Sequence, residues 1–215
     1  MKREIFQQTQ CREVFAKLFS KSGERSKREE DRAMIYIYLA QGFEETEMTV
    51  PLDMCRRAGL EVKTVSVAGD EYVTGSHGIT IKADMKASDS EYSPENAEMV
   101  ILPGGMPGTK NLEKSEAVKS ALDTVSRRGK YIAAICAAPS VLGKLGYLKG
   151  KRATCYPGFE EYLYGAEATG EQSTVDGKII TGRGAGAALD FAYAIIGELC
   201  GKERAEKIKN EIMAK

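Results

Sequence analysis

The sequence predicts an α/β protein built on a mostly parallel sheet with helices on both faces. Three observations carry this. From Met34 onward, short apolar runs alternate with stretches of helical length. The runs are too continuously apolar to keep one wet face, as expected of strands covered on both sides. Glycine-containing turns follow several of the runs, where a parallel strand must give way to its crossover helix.

Taken in order, MIYIYLA (34–40) is a strand, and EETEMTVPLDMCRRAG (44–59) is a helix that Gly59 ends at a C′ position. LEVKTVSV (60–67) is the next strand. EYVTGSHGITIKAD (71–84) has the turn chemistry of a hairpin. AEMVILPGG (97–105) is a strand that runs into a glycine turn, and SEAVKSALDTVSRRG (115–129) is its helix. KYIAAI (130–135) is a strand, and helical spacing resumes at once in CAAPSVLGKLG (136–146). STVDGKIITGRG (173–184) holds two strands around Asp176-Gly177, a strong hairpin signal. Two helices, 185–201 and 202–215, close the chain.

Residues 1–33 differ from the rest. They carry nine Lys/Arg and six Asp/Glu, against 22 and 25 in the remainder. Ile5, Phe6, Val14, Phe15, Leu18 and Phe19 recur at helical spacing ahead of the charged run SKSGERSKREEDR. A charged extension, with one amphipathic helix and a linker, therefore precedes a domain at 34–215. It is either dispensable or a partner-binding helix.

The totals exclude several classes. Net charge is zero, with 31 Lys/Arg against 31 Asp/Glu, and no basic stripe with interleaved aromatics points to nucleic acid. No apolar run is long enough to span a bilayer, and no secretory leader is evident. The five cysteines, Cys11, Cys55, Cys136, Cys155 and Cys200, are scattered, which predicts neither a disulfide framework nor a zinc site. A reducing, cytoplasmic compartment is expected. His77 is the one histidine, so most histidine chemistry is removed, and neither a metal nor a cofactor is called for.

Cys136 lies where a strand turns into a helix, the geometry that exposes a nucleophile above a sheet. Pro139 suits the first helical turn. Free amides and the helix dipole predict a thiol pKa lowered from ~8.5 to roughly 3.5–7.5. Glu44, Glu45 and Glu47 sit at the first strand-to-helix passage, where the dipole alone favours acids. One of them, facing an apolar pocket, would have a raised pKa and share a proton with the sulfur. Pro103-Gly104-Gly105-Met106-Pro107-Gly108 and Thr181-Gly182-Arg183-Gly184 are further strand-end turns. Backbone amides of the first, with that of Ala137, would form an oxyanion site. Cys11, Cys55, Cys155 and Cys200 are expected to be inert core residues, with Cys155, in TCYPG, the one of them that could border the same pocket.

The set QGFEETE, RRAG, SHGI, LPGGMPG, AAICAAP, TCYPGFE and TGRGAG, in this order, resembles the DJ-1/ThiJ/PfpI family over residues 34–215. That resemblance implies a flavodoxin-like three-layer sandwich and a homodimer. It implies a reactive cysteine at Cys136 and a partly protonated pocket glutamate at Glu47. Gly105 and Ala137 would supply amides beside the sulfur, with Gly104, Tyr156, Arg183 and His77 around the pocket. The implied activity is cofactor-free glyoxalase chemistry on methylglyoxal, or deglycation of its thiol and amine adducts. The alternatives are an oxidative-stress sensor with chaperone action and, third, a PfpI-type peptidase or amidase. Two departures matter. Tyr156 stands where the DJ-1 branch has histidine, and Ala137 where the peptidases have it. His77 stands where relatives often carry arginine near the dimer interface.

Overall fold

The computed structural model describes residues 34–214, so the charged extension expected over residues 1–33, with its amphipathic helix and linker, lies outside the described residues. The central sheet contains β1 (Met34–Leu39), β2 (Glu61–Ser66), β5 (Met85–Lys86), β6 (Ala97–Leu102), β7 (Tyr131–Ile135), β10 (Ser173–Asp176) and β11 (Ile179–Gly182). Their order is β10-β11-β7-β6-β1-β2-β5, and all pairs are parallel except β10 with β11. β3 (Tyr72–Thr74) and β4 (Thr80–Lys82) form the hairpin read at 71–84. β8 (Arg152–Ala153) and β9 (Glu167–Ala168) are a small separate pair.

The helices are α1 (Glu45–Arg57), α2 (Gly108–Lys114), α3 (Glu116–Arg127), α4 (Pro139–Lys144), α5 (Ala188–Cys200) and α6 (Lys202–Glu211). They form two outer layers because β1 and β6 alternate their apolar side chains between faces. Ile35, Ile37, Leu39, Met99 and Ile101 pack with Met48 of α1, Phe191 and Ile195 of α5 and Ile208 of α6. Tyr36, Tyr38, Val100 and Leu102 pack with Leu112 of α2, Val118 and Leu122 of α3 and Leu142 of α4. Each such side chain, fully buried, contributes about 1.5–3 kcal/mol of transfer free energy. The result is the expected sandwich.

Two local readings are corrected. Helix α4 begins at Pro139, not at Cys136, because Cys136 has φ 65 and cannot belong to a right-handed helix. The glycine turn after β6 runs directly into α2 at Gly108, a helix that the sequence reading did not include. The carboxyl ends of β1, β6, β7 and β11 all open on one edge of the sheet, where ligand sites of such folds lie.

Candidate active site

The backbone of Cys136 is pinned on both sides. Its N–H donates to the Gly182 carbonyl at 2.9 Å, and its carbonyl accepts from the Tyr156 N–H at 2.8 Å. These bonds hold a non-glycine residue in the left-handed region, a conformation that costs of order 1–3 kcal/mol. The side chain is thereby turned off the strand axis and left partly exposed, whereas Cys55, Cys155 and Cys200 are buried.

Glu47 reaches the same point from α1. Glu44 is the N-cap, and its carboxylate accepts from the Glu47 N–H at 2.6 Å. In a capping box the third residue's carboxylate would fold back to the cap's own N–H. Here the Glu44 N–H donates to the Gly104 carbonyl at 2.9 Å instead. Glu47 is freed to point inward, where one carboxylate oxygen accepts from the Gly104 N–H at 2.9 Å. Its side chain also hydrogen-bonds Cys136, and the residue is only 1 % exposed.

Gly104 has no room for a side chain. A Cβ there would lie 2.6 Å from the Glu47 carboxylate and 2.7 Å from the Cys136 Cβ. Gly105 has φ 87, and a Cβ there would stand 2.4 Å from the Glu44 nitrogen. The amides of Ala137 and Gly105 hydrogen-bond the sulfur.

The electrostatics reverse the expected lowering of the thiol pKa. Burial, then the Glu47 carboxylate beside it, pushes Cys136 up to about 12, and the two amides offset only part of this. Burial pushes Glu47 up to about 7, against the lowering effect of its bonds to Cys136 and Gly104. The two groups titrate as one dyad. Burial and their mutual contact hold both groups up, Glu47 to about 7 and Cys136 to about 12, so between those values the pocket carries one negative charge and one proton shared by oxygen and sulfur. Helix α4 has six residues and cannot override a buried carboxylate in contact with the sulfur.

The structure therefore brings Cys136, Glu47, Gly104, Gly105 and Ala137 together. Tyr156 joins them through its backbone, and its ring is at the surface. Arg183, one residue past Gly182, is exposed, and its guanidinium donates to the Gly170 carbonyl at 3.1 Å. His77 is engaged elsewhere: its Nδ1 lies 2.8 Å from the buried Glu45 carboxylate, and its side chain is 71 % exposed. Glu45 also accepts from the backbone N–H of His77 at 2.8 Å and from the Ser76 hydroxyl at 3.4 Å. Glu44, Glu45 and His77 could offer a metal one ligand atom each within 4.8 Å. The donors on Glu45 already account for that carboxylate, so the group works as a latch on the β3–β4 turn. Two residues named in the sequence take roles that it did not specify: the Gly182 carbonyl accepts the cysteine N–H, and Glu44 caps the helix.

Residues 33–198 match the model of the DJ-1/PfpI family. Protein DJ-1 homolog B and homolog A of Arabidopsis thaliana are each 36 % identical to the chain, which spans 41 % and 46 % of their lengths. The Parkinson disease protein 7 homolog of Danio rerio is 36 % identical over 182 residues, 83 % of this chain and 96 % of that protein. A protein of Pyrococcus abyssi named Deglycase PYRAB04690 is 30 % identical over 151 residues, 69 % of this chain and 89 % of that one. Among solved structures, oxidized Toxoplasma gondii DJ-1 superposes with a TM-score of 0.79 at 36 % identity, over 85 % of this chain and 98 % of that one. With the fold, the cysteine turn and these matches in agreement, the chain belongs to the DJ-1/PfpI family.

Proposed function

We propose that the chain is a cysteine-dependent, cofactor-independent enzyme acting on reactive α-dicarbonyls such as methylglyoxal, or on their thiol and amine adducts. The observation that carries this is the dyad: a buried carboxyl group hydrogen-bonded to a partly exposed thiol, with two backbone amides at the sulfur. The relative named a deglycase supports the same class of substrate.

The proposed chemistry is balanced within the pocket. With the shared proton on Glu47, the sulfur of Cys136 attacks the aldehyde carbon and a C–S bond forms. The carbonyl oxygen takes the proton from Glu47, giving a hemithioacetal. The Glu47 carboxylate then removes the proton on that carbon and returns it to the neighbouring ketone carbon, while the hydroxyl proton of the hemithioacetal passes to the former ketone oxygen. One carbon is oxidised and the next reduced, so no external electron carrier is needed. Water hydrolyses the resulting thioester to a 2-hydroxy acid and restores the thiol. The amides of Gly105 and Ala137 hold negative charge as it develops on oxygen. Positioned acid–base catalysis of this kind contributes typically ~10²–10⁴-fold. Such an enzyme is expected to be a homodimer in the cytoplasm.

The test uses purified protein and methylglyoxal without glutathione. The native chain should produce lactate, Cys136→Ser none, and Glu47→Gln at least ~100-fold less. Equal lactate from native chain and Cys136→Ser would refute the assignment. A second reading has its own support, since one structural relative was solved in an oxidized form. In it, peroxide converts Cys136 to a sulfinate that Glu47 hydrogen-bonds. Mass spectrometry after peroxide treatment, together with an absence of lactate, would favour that sensor role. A Cys–His peptidase has least support, because Ala137 follows the cysteine and the sole histidine is bound to Glu45.

A further inference from the structure

We propose that Tyr156 is a specificity-determining residue, and that its ring favours substrates carrying a planar aromatic substituent beside the reacting carbonyl. This rests on the dicarbonyl reading of Cys136 and deepens it.

Four observations place the ring. The Tyr156 N–H holds the Cys136 carbonyl at 2.8 Å, so the ring starts one residue's reach from the thiol turn. Its flank lies on the loop after β11: Cδ2 is 3.3 Å from where a Cβ on Gly184 would stand. That loop begins at Gly182, which accepts the Cys136 N–H. The ring is backed edge-on by Phe159, with centroids 6.5 Å apart at 80°, and Phe159 in turn by Tyr162 at 5.9 Å. It nevertheless remains 51 % exposed.

A large aromatic held this firmly and left half in solvent is a preformed contact surface. Its orientation has already been fixed by folding, so a ligand that stacks on it need not immobilise it. In the strand order β11-β7-β6, Cys136 follows β7 and the loop on which the Tyr156 ring lies follows its neighbour β11. An aromatic face favours a flat, polarisable occupant over a methyl group.

The experiment compares phenylglyoxal with methylglyoxal, and separately compares alkylation of Cys136 by N-phenylmaleimide with that by N-ethylmaleimide. Both maleimide rates are normalised to glutathione. Native protein should prefer the phenyl member of each pair. Tyr156→Leu should reduce both preferences about tenfold, mainly through KM in the enzymatic pair, while Tyr156→Phe should keep them within about twofold. If the native chain shows no phenyl preference in labelling, or Tyr156→Leu keeps it, the proposal is overturned. If neither dicarbonyl is consumed, the dicarbonyl chemistry fails on its own, and the labelling ratio still decides the role of Tyr156.

Discussion

Glu47 carries a cost that pH can reveal. Folding raises its carboxyl pKa from 4.5 to about 7, chiefly by burial. The unfolded chain therefore loses this proton first. The associated stability is fully present below about 4.5 and is lost as pH rises through about 7. At about 1.4 kcal/mol per pH unit, the loss is about 3 kcal/mol. Glu47→Gln should thus be more stable than the native chain at pH 8 by up to that amount, with the gain vanishing near pH 4.5, as measured by urea unfolding at both pH values. The dyad predicts a kinetic counterpart. Alkylation of Cys136 by iodoacetamide should accelerate as pH passes about 7, and in Glu47→Gln the inflection should move higher, since the sulfur then has to shed a proton of its own. Peptide mapping should find Cys136 modified ahead of Cys55 and Cys155, because it is partly exposed and they are buried. The cysteine's backbone makes a separate prediction. At φ 65, Cys136→Gly should unfold at higher denaturant than Cys136→Ala, by about 1 kcal/mol.

At the scale of elements, the β3–β4 turn hangs from one carboxylate. Glu45 accepts from the N–H and ring of His77 and from the Ser76 hydroxyl. Burial opposes its ionisation, but the His77 hydrogen bonds outweigh burial and hold the carboxyl below its ordinary value. The same contact raises His77. The latch is fully charged between those two values. It weakens as pH falls through that of Glu45 or rises through that of His77. Amide exchange at residues 76–78, corrected for intrinsic rates, should be slowest in that window, and His77→Gln should abolish its upper limb. Glu45→Ala removes the one charged acceptor that the donors of this exposed turn share and should cost about 1–3 kcal/mol in urea unfolding, whereas His77→Ala, which removes one exposed partner, should cost less. Elements with strong periodicity were legible beforehand: β1, β6, β7, α3 and the β10–β11 hairpin all carry their pattern in the chain. Helix α2 was not, because GTKNLEK is short and shows no apolar stripe. The two-residue strands β5, β8 and β9 exist only through pairing. The start of α4 was misplaced because spacing alone does not report the sign of φ at Cys136. The thiol's electrostatics were misread for a similar reason: the helix start is visible in the sequence, while the contact with Glu47 is set by tertiary packing.

For the molecule as a whole, the described residues form a seven-stranded sheet with a core on each of its two faces. A chain beginning at Met34 is therefore expected to unfold within a few degrees of the full chain by calorimetry. A larger drop, equivalent to several kcal/mol, would mean that residues 1–33 complete the core. The strained cysteine and the buried acid also matter for how such a chain changes over generations. Each lowers the folded population, and each can be removed by a single substitution that the rest of the fold accommodates. A lineage maintained only for abundance, as a scaffold or a passive binder, would be free to relax both positions, since neither the left-handed cysteine nor the buried acid favours the folded state near neutral pH. A lineage that needs the chemistry must hold both residues against that drift, and its tolerance for destabilising changes elsewhere is narrower by the same amount.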